Sequence, residues 1–174
     1  MDFMLQDKPT NCGPVAIYNA FQWLGATEVE LAFLEYTTEY GAYSETPGKV
    51  GIHWQDALNA FNEVQEYYNL RFEYAPYKSL FWEDIRYKLN EDSGLYLGYR
   101  NENNLKKKRN TLGHAVFLFT QGGKYYIVND KKWTHPTLIQ EVDAEHLKML
   151  TEKDASGIFI RRTNEVQSIL GRAS

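Results

Sequence analysis

The chain has 174 residues, 43% hydrophobic and 15% aromatic, enough to build one packed domain without a disulfide or metal staple. Its net charge of −4 argues against a nucleic-acid binder, because phosphate recognition rests on a basic surface. Met1 to Asp7 carries no basic and apolar leader pattern, and no stretch approaches the roughly 20 apolar residues of a membrane span, so a cytosolic protein with no membrane partner is expected.

The first predicted element is a largely buried helix over Gly13 to Leu24, with Val15, Ile17, Phe21, Trp23 and Leu24 as its apolar residues. Pro14 stands in its first turn, where a missing N–H costs nothing, and Gly25 follows its end. Thr27 with Glu30 resembles a capping box, and Val29, Leu31, Phe33, Leu34 and Tyr36 fill a second helix ending before Gly41. Residues 42 to 52 hold Ser44, Pro47, Gly48 and Gly51 and read as a loop, after which Trp54 to Val64 returns to helical spacing.

A strand is expected within residues 65 to 75. Ser79 can cap a further helix through Leu89, with Leu80, Phe81, Ile85 and Leu89 on its apolar face. The period then changes. Gly94 to Arg100, Gly113 to Thr120, Lys124 to Asp130 and Gly157 to Arg162 are short β-branched or aromatic runs, and Gln121-Gly122-Gly123 makes the middle pair a hairpin. Asp143 caps a short helix to Leu150. The polar run Asn101 to Asn104 and the basic Lys106 to Arg109 read as a solvated loop. Residues 1–162 therefore form one domain and 163–174 a polar tail. Helices first and antiparallel strands second define an α+β fold, with the helices packed on one side of the sheet.

Cys12 is the sole cysteine, so it forms no internal disulfide, and it is either a buried small hydrophobe or a reactive group. Its place at a helix amino end favours the second. Unpaired N–H groups and the helix dipole stabilise a thiolate there. Of the four histidines, His114 is best held to act as its base, because it begins a strand behind Gly113. His53 and His135 fall in loops and His146 on a short amphipathic helix, where surface positions are expected. A neutral imidazole needs an acceptor to set its tautomer. The hairpin brings the end of the Lys124 to Asp130 strand beside His114, and alternation points Asn129 and Asp130 to opposite faces, so one of them serves. Asp130 is preferred and Asn129 is the alternative.

Read alone, each residue has a plainer account: Cys12 a buried thiol, His114 a core histidine, Asp130 a turn residue and Gln6 a solvated terminal one. Together they form a pattern. Gln6 lies six positions before Cys12, Asn11-Cys12-Gly13-Pro14 opens an apolar helix, Gly113-His114-Ala115-Val116 follows, and then Tyr126-Ile127-Val128-Asn129-Asp130. This order resembles the bacteriocin-processing (double-glycine leader) peptidases within the papain-like superfamily.

The resemblance implies a papain-like cysteine peptidase fold. It implies that the Gln6 side-chain amide and the Cys12 backbone N–H bind the oxyanion, that Cys12 attacks, that His114 shuttles the proton and that Asp130 orients His114. The chain departs from that family at Asn11, where an acidic residue is common, and at Lys131, where proline is common. No transporter segment follows the domain, so processing of exported leader peptides is not expected. The expected activity is hydrolysis of a peptide or isopeptide bond in a peptide or protein substrate through a thioester. Transglutaminases, deamidases and acyltransferases use the same Cys-His-Asp set, and a silent papain-like module that binds a partner is the remaining alternative. Histidines and aspartates are too scattered for a metal set, so neither metal nor cofactor is expected.

Overall fold

A computed structural model describes residues 1–7, 11–38, 54–100, 113–130 and 138–163. Five helices and six strands lie among them: α1 (Cys12–Leu24), α2 (Leu31–Thr37), α3 (Trp54–Tyr67), β1 (Glu73–Tyr77), α4 (Trp82–Lys88), β2 (Ser93–Arg100), β3 (Gly113–Gln121), β4 (Lys124–Val128), β5 (Ile139–Val142), α5 (Ala144–Thr151) and β6 (Ala155–Arg161). The strands make one sheet in the order β1-β6-β2-β3-β4-β5, antiparallel at every pair. The mixed α and β content and the antiparallel second half agree with the expected α+β class.

α1 is the central helix, and twelve of its thirteen residues are buried. Its end is set by Gly25, which takes a left-handed φ of 85°. The Gly25 N–H donates to Gln22 O at 3.0 Å and the Ala26 N–H to Phe21 O at 2.9 Å, a pairing that satisfies carbonyls the helix leaves open. The β3–β4 hairpin turns on Gly122 (φ 59°) and Gly123 (φ 75°), and Gln121 pairs with Lys124 across it.

The sheet is covered on both faces, which corrects the one-sided packing expected from sequence. Phe117, Phe119, Tyr96 and Ile158 pack with α1, α2 and α3 residues such as Phe21, Leu34 and Phe61. The alternate positions Val116, Leu118, Leu95 and Leu97 pack with Ile85 of α4 and Leu147 of α5. β2 and β3 are consequently apolar almost without interruption, the pattern of strands buried on two sides.

Several boundaries move for local reasons. α2 begins at Leu31 with Glu30 as its extended N-cap, while Thr27 and Glu28 form a turn and cap nothing; Val29 is buried in the connector. Ser79 caps nothing either, because the Leu80 N–H is drawn to Ala155 O at 2.8 Å and keeps the chain extended. The Asp84 carboxylate instead accepts from the Phe81 N–H at 2.9 Å, and Phe81, expected on the apolar face, is exposed. Asp143 does cap α5, accepting from the His146 N–H at 2.8 Å. β5 carries no alternation strong enough to be seen in the sequence and pairs only at the sheet edge. The expected loop at 42–52, His53, the basic run 106–109, Lys131, His135 and the tail from residue 164 lie outside the described residues.

Candidate active site

Cys12 is the first residue of α1, and His114 the second of β3. The helix lies against β2 and β3, so its amino end brings the thiol to the imidazole, near enough for each group to shift the titration of the other. The His114 Nε2 stands 2.8 Å from the main-chain oxygen of Asn129. A carbonyl only accepts, so Nε2 carries a proton there and Nδ1 is the nitrogen left for the thiol.

Electrostatics follow from this pairing. Burial pushes the Cys12 thiol up, but the His114 hydrogen bond and charge, with the Ala115 and Gly13 main-chain N–H groups, outweigh it and leave the thiol lowered. Burial pulls His114 down, and the Cys12 hydrogen bond and charge, the Asn129 carbonyl and the Asp130 charge leave it raised. A lowered thiol beside a raised imidazole favours a thiolate–imidazolium pair.

Asn129 departs from strand geometry. β4 ends at Val128, and Asn129 takes a left-handed φ of 66°, so simple alternation no longer decides which of residues 129 and 130 faces His114. Its main-chain N–H donates to Leu138 O at 3.0 Å. Its fully buried side chain meets the chain's amino-terminal segment, where Oδ1 accepts from the Gln6 main-chain N–H at 3.3 Å and Nδ2 donates to Gln6 Oε1 at 2.9 Å. The Gln6 main-chain N–H can only donate, so it fixes the Asn129 amide, and Asn129 Nδ2 in turn fixes Gln6 with Oε1 toward Asn129, which leaves Nε2 as the donor end of the Gln6 amide. Gln6 is buried, not the solvated terminal residue of its plainer reading.

Asp130 does not hydrogen-bond His114. Its Oδ1 accepts from the Tyr99 hydroxyl at 3.0 Å and its Oδ2 lies 3.0 Å from His146 Nε2. Tyr99 in turn sets its ring edge-on to His114, centroids 5.7 Å apart at 88°. Asp130 therefore reaches the imidazole through its charge and through Tyr99, while the direct acceptor is the carbonyl one residue earlier. His146, expected at the surface, faces inward to Asp130 with its side chain 29% exposed. The capping Asp143 holds it at the third position of α5, which was the available sequence signal for a fixed histidine.

Asn11 is the other residue that spacing left without a role. It is fully buried, and its Nδ2 donates to Asp7 Oδ1 at 2.6 Å and reaches Glu35 Oε1 at 3.5 Å. An acid at position 11 would face two carboxylates, so an amide is the residue that fits. Among the described residues no set of three or more His, Cys, Asp or Glu side chains could hold a metal ion, and no helix is long and apolar enough to cross a membrane.

No family model matches the sequence, and no curated protein matches it. Among solved structures the chain is similar to the Pseudomonas avirulence protein AvrPphB, at 9% identity over 91% of this chain and 97% of that one, with a TM-score of 0.45.

Proposed function

We propose that this protein is a cysteine hydrolase of the papain-like type that cleaves a peptide or isopeptide bond through a thioester. The observation that carries the reading is the sole thiol at the amino end of α1 against an imidazole whose far nitrogen is fixed on Asn129 O at 2.8 Å. In the proposed reaction the Cys12 thiolate adds to the substrate carbonyl carbon. The negative oxygen that forms is bound by the Cys12 main-chain N–H, one of the donors a helix start leaves open, and by Gln6 Nε2. The His114 imidazolium then gives its proton to the leaving amine as the C–N bond breaks. Water attacks the thioester with His114 taking its proton, and the acid is released as the thiolate returns.

The order Gln6, Cys12, His114, Asp130 supports this reading through its resemblance to the bacteriocin-processing peptidases. Cleavage of double-glycine leaders is not part of it. The substrate proposed is a peptide or protein chain, and transfer of the acyl group to an amine rather than water would use the same residues.

The test is incubation of the protein with a peptide library, read by mass spectrometry against Cys12→Ala. Cleavage products that gain water in the wild type and are absent from the variant support hydrolysis. Equal products in both samples overturn the mechanism, and amine adducts in place of water products would redirect it to acyl transfer.

A further inference from the structure

Asp130 is held from two sides by groups that the reaction above does not use. Its side chain is 6% exposed, so it is nearly out of water, and a carboxylate in that position needs donors to replace the water it has lost. Two are present. The Tyr99 hydroxyl of β2 donates to Oδ1 at 3.0 Å, and His146 Nε2 of α5 donates to Oδ2 at the same distance. A carboxylate oxygen only accepts, so Nε2 carries its proton whether His146 is neutral or charged. His146 is itself anchored, since Asp143 caps the first turn of α5 through the His146 main-chain N–H.

The same carboxylate faces the reacting pair. Its charge helps hold His114 of β3 in the protonated form, and Tyr99, which it grips, packs edge-on against the His114 ring. Cys12 of α1 completes the set, as its charge is felt at Tyr99. Tyr99 and His146 thus contact Asp130 directly, His114 feels its charge, and Cys12 lies beyond Tyr99 and His114.

We infer that His146 is a positioning residue of the active site, which with the Tyr99 hydroxyl clamps the Asp130 carboxylate so that its charge supports the His114 imidazolium. The clamp makes a four-residue chain, His146 to Asp130 to Tyr99 to His114, running from α5 across β2 to β3. Loss of the His146 donor loosens the hold on a nearly buried carboxylate. Asp130 then contributes less negative charge at His114, the imidazolium is less favoured, and Cys12 loses part of its counter-charge.

The test needs no substrate, although it rests on the thiolate–imidazolium pair proposed above. The chain's single cysteine is alkylated with iodoacetamide across pH, and the midpoint of the rate profile is read for wild type, His146→Phe, His146→Gln and Tyr99→Phe. His146→Phe keeps a ring and removes the donor, and its midpoint is expected to rise by about half a pH unit or more. His146→Gln, whose amide can still donate to Oδ2, is expected to return most of the way to wild type. Tyr99→Phe, which removes the other donor, is expected to shift in the same direction as His146→Phe. Should His146→Phe not fold by circular dichroism, His146→Ala at the same part-exposed position replaces it.

An unchanged midpoint in the donor-less His146 variant overturns the inference, as does a His146→Gln profile no closer to wild type. Failure of the underlying reading looks different. There the wild type itself would react with an alkaline midpoint that His114→Ala leaves in place.

Discussion

Asn129→Asp isolates the part of the site that polarity alone dictates. The substitution keeps shape and keeps an acceptor for the Gln6 main-chain N–H, which lies 3.3 Å from Oδ1. It removes the donor that now meets Gln6 Oε1 at 2.9 Å, leaving two oxygens face to face in a buried spot. Rotating the Gln6 amide by half a turn restores a hydrogen bond, because Nε2 then donates to the new carboxylate. The cost falls on catalysis, since Oε1 now points where the oxyanion donor stood. Fold stability should fall by a few kcal/mol, because the new carboxylate is fully buried and only Gln6 donors replace its water, while kcat should drop by roughly a hundredfold to a thousandfold, the scale of one lost oxyanion donor. KM should move little, as the contact forms only in the transition state. The assay is hydrolysis of a peptide that the wild type cuts and Cys12→Ala does not, beside iodoacetamide labelling of Cys12. Alkylation forms no oxyanion, so its rate should stay within a few-fold of wild type. A kcat within threefold of wild type, or a labelling rate that falls as far as kcat, would refute the reasoning.

Further outcomes follow from the same contacts. Gln6→Ala should lower kcat as far as Asn129→Asp, and the double variant should be no slower than either single one, because both remove one donor; additive losses in a double-mutant cycle would separate the two residues. His114→Ala should move the alkylation midpoint upward from wild type, since the imidazole that offsets the burial of Cys12 is gone while only the Ala115 and Gly13 main-chain N–H groups still lower it; a midpoint at or below wild type would contradict that sign. Asp130→Ala should reduce kcat/KM by roughly tenfold, about 1.4 kcal/mol, through loss of charge near the imidazolium, with a narrower pH profile on its alkaline side as the raised His114 value falls. Gly157→Ala should lower stability by about 1 to 3 kcal/mol in thermal denaturation, because a Cβ there would stand 2.8 Å from Leu95 Cδ1 and 2.9 Å from the Tyr96 carbonyl; an unshifted Tm would show that the β2–β6 contact gives way freely.

The chemistry-bearing residues were legible where local sequence rules coincide with tertiary placement. Cys12 was readable because Pro14 and Gly25 bracket α1 unambiguously, and the hairpin because two adjacent glycines supply the positive φ its turn demands. For His146 the Asp143 cap marked only the helix that holds it; its contact with Asp130 depends on how α5 packs on the sheet, and no local pattern reports that. The two-sided burial of the sheet escaped for a similar reason. Val116 and Leu118 could be seen as apolar, but a five-residue apolar run does not say what lies beneath each alternate side chain. Ser79 and Thr27 failed as caps because a tertiary bond from Leu80 to Ala155 and the burial of Val29 overrode the local preference.

The choice between Asn129 and Asp130 shows most directly what alternation leaves out. The rule assumes that a strand continues, and a single left-handed residue at φ 66° ends it. That residue turns its main-chain oxygen to His114 and its side chain to Gln6, so one position serves both the base and the amide. Because the group that sets the His114 tautomer is main chain, substitution of the Asn129 side chain cannot delete it. Asn129→Gly, which accepts a positive φ at no steric cost, should therefore keep the Cys12 alkylation midpoint close to wild type while kcat falls with the loss of Gln6 placement. Asn129→Val, which disfavours the left-handed region by about 1 to 2 kcal/mol, should disturb the carbonyl and raise the midpoint as well. Measuring the midpoint and kcat on the two variants separates the functions: equal midpoints in glycine and valine variants would show that the carbonyl does not depend on this backbone conformation.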